Sequence, residues 1–134
     1  MVTRPRIDAL IQYTLDGRLI EALKEFYHPN AVMQENCEPP RPDLATSIAR
    51  QKGAQAMTAT VHEVKAVNIL HDGDRVAIEW HAEWTMTNGM RVRVEEVALQ
   101  LWQGDRIIHE RFFYDTGGAF QDLRQRSDLQ ATGR

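Results

Sequence analysis

The sequence predicts an α+β domain in which a curved antiparallel sheet is wrapped by three N-terminal helices. Apolar residues recur at helical spacing over the first 60 residues and at alternate positions from Val61 onward. Turn signals at His71-Asp72-Gly73-Asp74, Thr87-Asn88-Gly89 and Gly104-Asp105 cut the second part into four successive runs, the pattern of an antiparallel meander. The runs are about ten residues each, and strands of that length twist and curl. A curled sheet has a hollow side, and the helices are the elements available to close it.

The elements follow in order. Ile7, Leu10, Ile11 and Leu15 form a helical stripe that stops at Asp16-Gly17. Leu19, Leu23 and Phe26 form a second, ended by His28-Pro29-Asn30, because the residue before proline is pushed out of the helical region. Residues 31–36 read as a short strand. Glu38-Pro39-Pro40-Arg41-Pro42 is a loop, since three prolines fix three φ angles and remove three donors. Asp43 is the expected N-cap of a third helix reaching Met57, with Leu44, Ile48 and Met57 available for burial. The four strands span 61–70, 75–86, 91–102 and 106–114. A short helix and a frayed tail are expected after Gly117-Gly118.

The 134 residues suit one domain, 1–134, and a chain of this length buries enough surface to hold a core without staples. No apolar run is long enough to cross a bilayer, and Met-Val-Thr-Arg-Pro-Arg lacks a signal-peptide h-region, so a cytoplasmic protein with no membrane partner is expected. The net charge of −3, without a basic run, argues against nucleic acid. The single cysteine, Cys37, allows no internal disulfide. His81 with Glu79 and Glu83 would need further ligands from elsewhere to hold a metal, so no metal site is expected.

Two segments carry a family resemblance: Phe26-Tyr27-His28-Pro29-Asn30-Ala31-Val32-Met33-Gln34-Glu35-Asn36, entering the first strand, and Gly104-Asp105-Arg106-Ile107-Ile108-His109-Glu110-Arg111-Phe112-Phe113-Tyr114-Asp115, the last. Together with the element order they resemble the NTF2-like superfamily, in particular its SnoaL-like, polyketide cyclase-like branch. Limonene epoxide hydrolase and ketosteroid isomerase belong to the same superfamily. The resemblance implies an α+β cone holding a small hydrophobic molecule, without a cofactor, and a homodimer joined through the outer sheet face.

The resemblance also suggests which strand parity faces the hollow. The inward set is Met33 and Glu35; Ile78, Trp80, Ala82 and Trp84; Val94, Glu96, Ala98 and Gln100; and Ile108, Glu110, Phe112 and Tyr114. Met33, Trp80, Trp84, Val94, Ala98, Phe112 and Tyr114 are the expected ligand walls. Where the epoxide hydrolases of this superfamily place a last-strand aspartate, this chain has Phe112, and the Arg and Asp that complete their site fall on Trp80 and Ala82. Epoxide hydrolysis by that mechanism is therefore rejected. Three inward carboxylates remain: Glu35, Glu96 and Glu110. In an apolar pocket each resists ionisation, which makes a general acid or base near neutral pH. The expected activity is isomerisation or cyclisation of a carbonyl compound by carboxylate acid/base chemistry. The alternatives are a non-catalytic hydrophobic-ligand-binding domain and a dimerising accessory domain; in the non-catalytic case Glu96 and Glu110 are satisfied near the rim of the cup by water or by Arg41, Arg91 or Arg93.

Overall fold

The computed structural model describes residues 1–119. Helix α1 spans Arg4–Leu15. The Thr3 side chain accepts from the Arg6 amide, and Pro5 falls in the first turn, where no amide is needed. Gly17, at φ 77°, breaks the chain into α2, Leu19–Phe26. Two arginines then seal the end of α2: Arg6 donates to the Glu25 carbonyl and Arg106 to that of Lys24. Asp43 caps α3, Leu44–Ala56, by accepting from the Thr46 amide at 2.8 Å. A four-residue helix, α4, covers Thr116–Ala119, so it starts earlier than expected. The tail expected after it lies outside the described residues.

The strands are β1 Tyr27–Glu35, β2 Thr58–Asp72, β3 Arg75–Met86, β4 Arg91–Gln103 and β5 Arg106–Tyr114. They form one sheet in the order β1-β5-β4-β3-β2. The meander β2 to β5 is antiparallel as expected, but β1 joins the sheet parallel to β5. It also begins four residues earlier than residue 31, because Tyr27 already pairs with Ile107. The register slips between Tyr27 and Val32, at the segment where Pro29 offers no donor. Strand β2 outruns its expected bounds at both ends, and three irregularities let it follow the curvature.

The core lies between the helices and the concave face of the sheet. Ile7, Leu10, Leu23 and Phe26 pack with Val76, Ile78, Trp102 and Ile107, all buried. Full burial of an aliphatic or aromatic side chain of this size contributes about 1.5–3 kcal/mol. Two expected core residues are not there: Met57 sits at the C-cap of α3 and Leu15 in the last turn of α1, and both are exposed. No helix among the described residues is long and apolar enough to cross a membrane.

Candidate functional site

Alternation along β4 defines the two faces. Val92, Val94, Ala98, Gln100 and Trp102 are buried, whereas Glu95, Val97 and Leu99 are exposed. Glu96 shares the buried parity. Its cross-strand neighbours are Trp80 on β3 and Tyr114 on β5. The next inward rows place Ile78, Ala98 and Phe112 beside Glu35, then Val76, Gln100 and Glu110 beside Met33. One inward assignment needs correction. The register between β4 and β5 shifts at Leu101/Trp102, which leaves Ile108 unpaired and gives the buried position to Ile107. From Glu110 onward the expected parity holds.

The three glutamates differ in company. Glu35 is held by Arg41 and lies 3.6 Å from Arg50 of α3. Arg41 arrives because the proline loop folds back: its amide donates to the Met33 carbonyl at 2.7 Å, and its Nε to Ser47 Oγ at 3.1 Å. Glu110 is 2% exposed, and both its oxygens accept hydrogen bonds. Tyr27 Oη donates to Oε1 at 2.5 Å and Gln100 Nε2 to Oε2 at 2.7 Å. Trp102 Nε1 in turn donates to Gln100 Oε1 at 2.9 Å. Glu96 is mostly buried and receives no hydrogen bond among the described residues.

The electrostatics follow. Burial pushes Glu96 up to about 7, with the charges of Glu110 and Glu35 adding to it. Burial also pushes Glu110 up to about 7, opposed by its Tyr27 and Gln100 donors and by Arg41, and assisted by Glu35. Tyr27 is raised well above the usual phenol range, by burial first and then by Glu110. A carboxyl group raised toward neutrality in this way is suited to general acid or base work.

The seven expected wall residues divide by depth. Met33, Trp80, Val94 and Ala98 are buried, the first two and Ala98 within the hydrophobic core. Trp84, Phe112 and Tyr114 are half-buried. The arginines expected beside Glu96 and Glu110 pair elsewhere: Arg41 takes Glu35, while Arg91 and Arg93 stay on the convex face with Glu83 and Glu95. His81 is on that face too, 2.7 Å from Glu79. Two shallow grooves of about 250 and 220 Å³, walled by Leu70, Ala77, Val97 and Leu99, also lie there. Among the described residues no group of three or more His, Cys, Asp or Glu side chains is arranged for a metal. Tyr27, Trp102 and Arg50 were not singled out from sequence. The even parity of Trp102 with Glu96 was the available signal; Tyr27 had none, because its place depends on the parallel β1–β5 pairing.

A helix-wrapped curved sheet with carboxylates on its concave side defines an NTF2-like domain. The sequence pattern of the SnoaL-like domain matches residues 7–110, and the chain belongs to that family. Among solved structures, an LEH-like epoxide hydrolase of M. tuberculosis is similar, with TM-score 0.72, 15% identity, and coverage of 97% of this chain and 95% of the other. A protein with a ketosteroid isomerase-like fold from Catenulispora acidiphila gives TM-score 0.72 at 17% identity over 88% of this chain and 91% of its own. A protein of Mesorhizobium loti described as a SnoaL-like polyketide cyclase gives 0.69 at 21% identity over 85% and 100%. At these identities the likeness is one of fold. No curated protein sequence matches the chain.

Proposed function

We propose that the cup binds a small hydrophobic carbonyl compound and that Glu96 moves a proton on it, making the protein a cofactor-independent isomerase or cyclase. The observation that carries this reading is the isolation of Glu96. Glu35 and Glu110 have their oxygens committed to arginine, tyrosine and glutamine. Glu96 stands between Trp80 and Tyr114 with none committed among the described residues. Its ionised form takes a proton from carbon beside the carbonyl, and the acid so formed returns it at another position. Trp84, Phe112 and Tyr114 are the walls nearest the opening, and Met33, Val94 and Ala98 form the floor. Dense packing of that floor favours, as a second reading, a binding domain without chemistry.

The test is proton–deuterium exchange at the α-carbon of simple cyclic and aryl ketones in D₂O, followed by NMR. Wild-type protein should accelerate exchange, with a rate that rises with pH through about 7 and then levels. Glu96→Gln should lower it by about 100-fold or more. Ketone binding with exchange no faster than in buffer would leave the non-catalytic reading.

The convex face supports a homodimer as part of this proposal. Leu70, Val97, Leu99 and Phe113 are exposed there beside the charged set of Arg91, Arg93 and Glu95. Apolar surface gathered in this way marks an interaction face, and a self-complementary patch suits a two-fold pair. Sedimentation should show a dimer that Leu99→Lys converts to monomer; an unchanged wild-type monomer rejects it.

A further inference from the structure

Four buried side chains form a chain of hydrogen bonds with one sense. The Trp102 indole can only donate, so the oxygen of the Gln100 amide must face it. The Gln100 amide nitrogen is thereby turned toward Glu110 Oε2, at 2.7 Å. From the other side, the buried Tyr27 hydroxyl meets Glu110 Oε1. We infer that Trp102, Gln100 and Tyr27 are positioning residues that make Glu110 the first of the two deep carboxylates to lose its proton, and Glu96 the one that keeps it.

Ionised Glu110 accepts two charge-assisted hydrogen bonds, from Gln100 Nε2 and Tyr27 Oη, and Trp102 keeps the Gln100 N–H aimed at it. A proton on Glu110 leaves both buried donors on a neutral, weaker acceptor. A proton on Glu96 displaces no hydrogen bond among the described residues. Charge therefore settles on Glu110, and that charge holds the proton on Glu96. Among the described residues, Glu35 and Tyr27 face both carboxylates, Arg41 faces Glu110, and Tyr114, with Arg50 beside it, faces Glu96. Arg41 is tied to Glu35 and does not bond Glu110. This inference deepens the reading of Glu96 as proton carrier and rests on it, since it assigns the residues that set the pH at which Glu96 works.

The experiment needs no substrate. Carboxyl carbons of ¹³C-glutamate-labelled protein are titrated by NMR and assigned with Glu96→Gln and Glu110→Gln. Glu110 should titrate first and Glu96 second. Glu110→Gln keeps the shape and removes the charge, with its amide oxygen accepting from Gln100 and its amide nitrogen donating to a Tyr27 hydroxyl that turns its hydrogen away, and should lower the Glu96 midpoint by on the order of one pH unit. Gln100→Leu should lower it in the same direction, and Tyr27→Phe by less. Because Gln100→Leu could open the core and hydrate Glu96, the isosteric Glu110→Gln decides whether charge is the cause. A Glu96 midpoint that ignores Glu110→Gln, or Glu96 titrating before Glu110, overturns this inference and leaves the proposed function standing. A wild-type Glu96 that titrates like a surface carboxylate removes both.

Discussion

The two faces of the sheet carry the same residue type to opposite ends. On the convex face, Glu79 accepts from Asn68 and His81, and Glu63 from Lys65; both carboxyls are held below the ordinary range. On the concave face, Glu96 and Glu110 are pushed above it. The sheet is shared, and on either face the side chains of a strand recur every second residue. What differs is water and company: outside, a charge is solvated and paired; inside, burial penalises it before any partner is counted. One-residue alternation thus separates carboxylates that hold a surface together from carboxylates available for proton transfer.

The largest test of this contrast removes the base of the inner network. Trp102→Ala deletes a buried ring and strips Gln100 of its donor, and should cost about 3–5 kcal/mol, read as a lowered urea midpoint. A middle-sized effect comes from pH. The folded values of Glu96 and Glu110 lie above the unfolded value of 4.5, so the unfolded chain releases protons first as pH rises. Stability should be greatest below about 4.5 with respect to these groups, fall as pH climbs toward about 7, and stay level beyond. Glu96→Gln should flatten that fall and stabilise the protein at pH 8 by about 2 kcal/mol, with little gain at pH 4. Urea titrations across this range check both, and a wild-type curve that rises from pH 5 to pH 7 refutes the assignment. The smallest effect belongs outside. Arg91→Ala breaks a 2.5 Å pair with Glu83 on the exposed face and should cost less than about 1 kcal/mol, more weakly still in high salt. If Arg91→Ala were as costly as Trp102→Ala, the division between the faces would be wrong.

Much of the frame was readable from residue order. Alternating runs placed β3, β4 and β5 within one residue of their observed ends, and Asp43 announced α3. That Glu96 shares a face with Ala98 and Gln100, and Glu110 with Phe112, follows from the period of two, while the family resemblance chose which face is inward. What escaped depends on pairing between distant segments. The unpaired Ile108 cannot be seen in β5 alone, because it exists only against Leu101 and Trp102. Tyr27 looked like the end of a helix; a parallel partner made it the first residue of β1 and a ligand of Glu110. Arg41 was foreseen as a partner for an inner glutamate, but the proline loop that carries it lies against Met33 and delivers it to Glu35.

That same loop has a consequence for how the protein behaves at high concentration. Strand β1 lies at the rim of the sheet, and a bare rim is a template on which another chain can add a strand. Here the rim is taken at Met33 by two backbone hydrogen bonds to Arg41, and Pro39, Pro40 and Pro42 around it have no amide to offer a newcomer. The fold-back that brings a guanidinium to Glu35 therefore also blocks strand-by-strand growth into fibrils on that side.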